Sequence, residues 1–274
     1  MAEPQTMNKA TRAAERQRDP LARAFQLLTL MVDSNLPTFG VRQLARFMSV
    51  SASTAHRLLG DLEQIGLIDR TDDSTYRIGL EFYRLASSAT ARFPLREAAE
   101  EVLHGLAMES TESAFLSVYD KVRRQMTFAL CVESEHPLRY VVPLNRWLPI
   151  HAGASGLAIL AFLPEQEQRE LLRAERLSRE TDKTIVEPRE LERVLAEVRA
   201  AGYATSNGQR ITGASAVAAP VIGPNGFAVG DVGISMPTLR VGAGGHGRRQ
   251  IDCVLAAAAT VSARIGGPQR GTGT

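Results

Sequence analysis

This chain is poor in the features that would tie it to export, a membrane or a metal. Its two cysteines, Cys131 and Cys253, lie far apart and outside any CxxC pair. Neither a disulfide framework nor structural zinc is therefore expected, and a reducing cytoplasm suits it. No apolar run is long enough to span a bilayer, and the polar N-terminus lacks the apolar centre of a signal peptide. The histidines His56, His104, His136, His151 and His246 form neither a motif nor a cluster in the sequence, so no metal or other cofactor is expected. Charge of one sign is scarce too. The net is only +2, which argues neither for nor against nucleic acid.

What is present is the composition of a soluble globular protein, 44% hydrophobic and 23% charged. Its 274 residues can hold one large or two ordinary domains, each with its own core. The charge is unevenly spread. Residues 1–60 carry Lys9, Arg12, Arg16, Arg18, Arg23, Arg42, Arg46 and Arg57 against Glu3, Glu15, Asp19 and Asp33. That excess would attract phosphates weakly and in a salt-dependent way.

The most informative stretch is 41–68, VRQLARFMSVSASTAHRLLGDLEQIGLI. It predicts a helix over about 41–48, a turn at Ser49-Val50, and a helix capped by Ser51 in which Ala55, Leu58, Leu59 and Leu62 recur at i, i+3, i+4, i+7. Gly66 is well placed as a left-handed C-terminal residue. Ser53, Thr54, His56 and Arg57 fall opposite the apolar side, in the first turns of the second helix. In a helix-turn-helix these turns meet base edges in the major groove while the first helix crosses the backbone. Arg57 could grip guanine or a phosphate, whereas Ser53 and Thr54 suit phosphates. A helical bundle with a solvated polar face is the competing reading of the same pattern.

Residues 1–19 lack apolar periodicity and predict a disordered arm. Asp19-Pro20 starts a helix whose Leu21, Phe25, Leu28 and Val32 are expected to face the core. After the reading helix, residues 67–70, a polar turn 71–74 and residues 75–78 predict a hairpin wing. A helix over 80–91 should connect to the rest, and another starts at Pro94 and runs to about 110. Strands are expected at 114–119, 125–131, 139–142, 203–206, 215–222 and 227–236, with helices at about 153–162, 164–174, 188–201 and 248–265. The whole predicts an α+β chain: a winged helix-turn-helix over 20–79, a linker helix over 80–93, and a domain over 94–267 with an antiparallel sheet under helical cover. A frayed tail follows at 268–274.

From residue 20 to about 266 the chain resembles the IclR-type transcriptional regulators. The residues that carry the likeness are LARAFQLL, QLARFMSVSASTAHRLLGDLEQIGLI, YRIGLEFYRLA, LPIHAGASGLAILAFLP and AAGYATSNGQ, and their order and spacing fit. The resemblance implies a winged helix followed by a ligand-sensing domain related to GAF folds. It assigns Arg42, Ser51, Ser53, Thr54, His56, Arg57, Arg70, Tyr76 and Arg77 to the DNA-binding surface, the last three on the wing. It also implies a double-stranded operator as partner, a small organic acid as effector, and a homodimer or a dimer of dimers, with no membrane involved. Ala52 stands where relatives often carry a basic residue, so the operator sequence does not carry over.

Within LPIHAGASGLAILAFL the pattern changes from extended to helical at 151–156, where small residues leave Gly153, Ala154 and Ser155 at a helix N-terminus. Such a terminus can receive a carboxylate or phosphate through its unpaired N–H groups, or can be an ordinary close-packed helix start. The resemblance favours the first and adds Tyr140, Leu148, Ser206, Ala214, Ala216 and Ser235 as further pocket positions. Ser206, Ala216, Gly233 and Leu157 replace residues that are more polar in glyoxylate- or pyruvate-sensing relatives. A roomier, more apolar pocket follows, suited to an aromatic or medium-sized carboxylate.

Two motifs tempt and fail. Gly242, Gly244 and Gly247 spell GxGxxG, but the segment follows Pro237 and a polar run, and no strand follows the last helix, so a surface loop is expected. Gly153-Ala154-Ser155-Gly156-Leu157 lacks the second glycine of a nucleophile elbow, and its surroundings are not those of a hydrolase. No catalytic residue is expected. The rivals to a ligand-responsive DNA-binding regulator are an enzyme turning over a small carboxylate in the C-terminal domain, and a sensing module whose winged helix contacts protein.

Overall fold

A computed structural model describes residues 19–34, 36–174, 177–242 and 245–268, in two compact units that divide between Arg92 and Phe93. The predicted arm and tail fall outside the described residues except for Asp19 and Pro268.

In the first unit, α1 (Pro20–Asp33) begins as its residues dictate: Asp19 accepts the Leu21 N–H at 2.9 Å and Pro20 occupies the first turn. Its buried side differs from expectation. Leu27, Leu28 and Met31 enter the core, while Leu21, Phe25 and Val32 are 77%, 61% and 50% exposed. The helix carries two apolar stripes, and only the one that includes Ala24, Leu27, Leu28 and Met31 packs in the core with the reading helix. Helix α2 (Val41–Phe47) leads through a turn into α3 (Ala52–Gln64), where Ser51 accepts the Thr54 N–H at 3.1 Å. Ala55, Leu58, Leu59 and Leu62 are buried, and Gly66 takes φ 71° just beyond the helix. The wing pairs β1 (Ile68–Arg70) with β2 (Tyr76–Ile78) antiparallel, with Phe39 bridged to Tyr76. Helix α4 (Leu80–Ala91) buries none of its residues.

The second unit is built on an antiparallel sheet, β5–β4–β3–β8–β7–β6, formed by Leu148–Pro149, Gln125–Val132, Ser113–Asp120, Ala228–Pro237, Ala214–Ile222 and Ala204–Asn207 respectively. The strand period of two sends alternate side chains to opposite faces. One face, with Ala114, Leu116, Val217, Ala219, Val221, Val232, Ile234 and Met236, packs on α5 (Pro94–Ser110) and α9 (Arg248–Arg264). The other, with Phe115, Phe128 and Ala218, lies under α6 (Gly153–Leu160) and α8 (Pro188–Ala201). Every residue of α6 is buried, as a helix apolar all round except at Ser155 requires. Helix α7 (Glu165–Ala174) follows it closely. A winged helix-turn-helix followed by an α/β domain with an antiparallel sheet is thus the fold that the pattern predicts.

The strand expected at 139–142 does not form. The place beside β4 is taken instead by Leu148–Pro149, which pairs with Met126 and Gln125. Pro137 and Pro143 bracket the expected strand, and neither can donate to a ladder.

Candidate functional site

The exposed edge of α3 is prepared by its cap. Ser51 Oγ is occupied within the chain, meeting Ser53 Oγ at 2.9 Å and Thr54 Oγ1 at 2.8 Å besides the Thr54 N–H. Its part is to start the helix. Ser53, His56 and Arg57 are exposed and Thr54 is half-buried, opposite the four core residues; Arg42 is exposed on α2. On the wing, Arg70 donates to Ser74 Oγ at 3.2 Å and Arg77 stands 3.8 Å from Asp69. The exposed Arg77–Asp69 pair holds about 0–1 kcal/mol and Arg70 meets only a neutral hydroxyl, so both guanidiniums are readily given up to an incoming anion. Tyr76, expected on this surface, does not reach it. It is 2% exposed and belongs to the core, because the strand period turns it inward where it turns Arg77 outward.

In the second unit a cavity of about 50 Å³ opens at the start of α6. Its lining includes Tyr140, Gly153, Ala154, Ser155, Ser206, Ala214, Ala216 and Ser235, brought together from five separate segments. Leu148 does not line it. That side chain sits on β5 opposite Met126 and packs on the core, because β5 takes the sheet-edge place expected for 139–142. The walls are largely apolar. Phe115 and Phe128 meet edge to face at 5.0 Å and 77°, joined by Val142, Pro143 and Ile211. Gly233 explains part of this shape, since a Cβ there would lie 2.6 Å from the Phe115 ring. The ring fills the room that a side chain on β8 would need.

Helix α6 begins without a side-chain cap, and its first residue, Gly153, takes φ 79°, which an L side chain resists. Against it lies Arg210, which the sequence pattern did not single out. Arg210 Nη2 donates to the carbonyls of Pro149, at 3.1 Å, and Ala152. Burial pushes its pKa down, opposed by Asp231, Glu180 and Tyr140. Asp231 lies on the cavity side of β8, fully buried, with Ser117 Oγ donating to Oδ1. Burial raises its carboxyl from an ordinary 3.8 to about 7, against the hydroxyls of Ser117 and Ser155 and the charge of Arg210. A signal for Asp231 existed: it is the single charge in the ten-residue strand Ala228–Pro237.

Elsewhere, His151 Nε2 lies 2.8 Å from the Ser178 carbonyl, turned to that oxygen and not toward Ser155. Of the glycine-rich segment, residues 243 and 244 lie outside the described residues. His246 within it is half-buried and meets Ser215 Oγ at 3.0 Å, more anchored than a surface loop implies.

Two family models match the chain: the IclR helix-turn-helix domain over residues 20–72 and the bacterial transcriptional regulator IclR C-terminal domain over 87–263. The HTH-type transcriptional regulator BhcR of Paracoccus denitrificans is 30% identical over 223 residues, 81% of this chain and 78% of that one. The transcriptional repressor IclR of Escherichia coli is 28% identical over 233 residues, 85% of each chain. Among solved structures, an IclR homologue from Microbacterium hydrocarbonoxydans, complexed with 4-hydroxybenzoate, covers 90% of this chain and 99% of its own with a TM-score of 0.78 at 22% identity.

Asp231 makes stability depend on pH. A carboxyl raised to about 7 in the fold favours the protonated folded state. Its contribution is fully present below the unfolded value near 4 and lost as pH rises through about 7. Urea unfolding of the native protein is expected to lose stability, on the order of a few kcal/mol, between those limits. Asp231→Asn is expected to flatten that slope; an unchanged slope would show that another group carries it.

Proposed function

Because the chain belongs to the IclR family of bacterial DNA-binding transcriptional regulators, we propose that it reads a double-stranded operator through α3 and the wing, under the control of a small organic acid held in the α6 cavity. The observation that carries this reading is the division of α3: four apolar residues wholly inside, and Ser53, His56 and Arg57 outside on its first turns. Ser53 and Thr54 position on phosphates, His56 and Arg57 reach base edges, and Arg42, Arg70 and Arg77 hold the flanking backbone. Ser51 supports them as the cap, and Tyr76 as a core residue beneath the wing.

The protein works as a homodimer, alone or paired into a tetramer, with half-sites about 34 Å apart or a multiple of it. Support comes from the apolar surface left bare on the first unit, where Leu21, Phe25, Leu36, Leu80, Tyr83 and Leu85 are all exposed. The effector is an aromatic or medium-sized acid. Apolar walls and an uncapped helix start favour it, and the 4-hydroxybenzoate in the complex of the Microbacterium IclR homologue supplies a first probe. The acid acts by binding the DNA-competent and incompetent arrangements unequally. The operator places this work in the cytoplasm, and the reading includes no catalytic step and no cofactor.

A gel shift against the DNA upstream of its own gene tests these statements together. Arg57→Ala is expected to weaken binding about ten- to a hundredfold, and full retention would refute the reading helix. Sedimentation should show Leu80→Asp dissociating at concentrations where the parent stays dimeric; an unaltered profile removes the bare apolar surface from the interface. Titrating carboxylates, starting with 4-hydroxybenzoate, is expected to raise the melting temperature and change operator affinity. Stabilisation by glyoxylate or pyruvate alone would refute the larger apolar acid, and product formation from a bound acid would favour an enzyme.

A further inference from the structure

The α6 cavity offers its ligand one charge. Among the residues that line it, Arg210 alone is charged. Its guanidinium is half spent: Nη2 serves the Pro149 and Ala152 carbonyls and approaches Met126 Sδ at 4.0 Å, while Nη1 is buried and has no partner. Nε lies 3.0 Å from where a Cβ on Gly153 would stand, so the group is flush with the first residue of α6. A buried donor of this kind costs free energy until an acceptor reaches it. On β8, Asp231 Oδ2 is likewise buried and unpartnered. The two charges are coupled without forming a contact ion pair, and the space between the lining residues is where an acceptor would enter.

We propose that Arg210 is the specificity-determining residue of this pocket, its Nη1 receiving the carboxylate of a monocarboxylic acid beside the first N–H groups of α6. The apolar body of the acid lies against Phe115, Phe128, Tyr140 and Ile211. Charge balance sets the count of carboxylates. With Asp231 protonated, Arg210 matches one negative charge; a second carboxylate would find no cation among the lining residues. A neutral isostere leaves Nη1 without its charged acceptor. This inference rests on the effector reading above and adds to it the residue and the ligand charge.

Binding also engages a proton. Asp231 is faced by Ser117 from β3, Ser155 from α6 and Arg210 from the β6–β7 connection; Arg210 in turn is faced by Glu180 and Tyr140. An anion at Arg210 makes Asp231 harder to ionise, so the acid binds with uptake of a proton wherever Asp231 is ionised in the free protein. With that carboxyl at about 7, affinity falls as pH rises above 7, by up to about tenfold per pH unit, and levels off below.

The test is calorimetric titration of the full chain with benzoate, 3-phenylpropionate and hexanoate, against benzamide as neutral isostere and phthalate as dianion. The monocarboxylates are expected to bind, and benzamide and phthalate at least tenfold more weakly. Arg210→Gln is expected to lose about ten- to a hundredfold in benzoate affinity, with Arg210→Lys intermediate and circular dichroism unchanged. Should Arg210→Gln not fold, the comparison of benzoate with benzamide and the pH profile of the unaltered protein decide. Asp231→Asn is expected to abolish the decline of benzoate affinity above pH 7. Equal binding of benzoate and benzamide, undiminished binding in Arg210→Gln, or no binding by any monocarboxylate at millimolar concentration overturns the proposal. Arg210-dependent binding that leaves operator affinity untouched would instead uphold the anchor and refute the effector reading. Operator affinity that responds to benzoate equally in Arg210→Gln would do the reverse.

Discussion

Along β8, Val232, Ile234 and Met236 turn to one face of the sheet and the positions of Asp231, Gly233 and Ser235 to the other, and much of the second unit follows from that alternation. The first set joins an all-apolar layer under α5 and α9, where density and area burial stabilise without direction. The second set puts a carboxylate, a gap and a hydroxyl beneath α6. A lone buried charge is costly unless something answers it. The answers here are the Ser117 hydroxyl across the strand pair, the Ser155 hydroxyl above, and the guanidinium of Arg210. The gap at Gly233 admits the Phe115 ring. A polar floor with aromatic walls is therefore a consequence of strand geometry combined with the cost of burying charge.

The first unit depends on a simpler constraint. A helix of 13 residues that buries Ala55, Leu58, Leu59 and Leu62 must present the intervening positions outward. Ser51 caps the helix, which frees the following residues from that duty. The wing works the same way at a different period: Tyr76 inside, Arg77 outside. Two cations on the wing held only by loose, exposed partners and two more on the helices give a surface whose charges are available. The same unit leaves apolar side chains of α1 and α4 in solvent, a surface that a second copy could cover.

Most of the fold was legible because it repeats. Periods of 3.6 and 2, a Ser or Asp-Pro at a helix start and a Gly at a helix end are local signals, and they located nine helices and most strands of the described residues. Failures came where two local signals competed. Helix α1 carries two apolar stripes, and only packing in the core chose Leu27 and Met31 over Phe25 and Val32. Residues 139–142 have strand-like composition between two prolines, and the sheet edge went to Leu148–Pro149. Tyr76 has an aromatic ring and a hydroxyl, equally suited to a core or to a phosphate, until its strand partner fixed its direction. Most of the cavity positions were legible only through resemblance, since Ala214 or Ala216 carries no chemical mark of its own.

The sequence alone determined the elements, their order, the split of α3 into an inner and an outer face, and membership of a family that reads DNA. These depend on neighbours within a few positions, or on likeness spread over most of the chain. Tertiary structure decided what lies across the cavity. Arg210 and Asp231 are 21 positions apart and on different segments, and neither belongs to a motif. Their coupling exists because a loop and a strand meet under the uncapped start of α6, where burial makes each charge depend on the other.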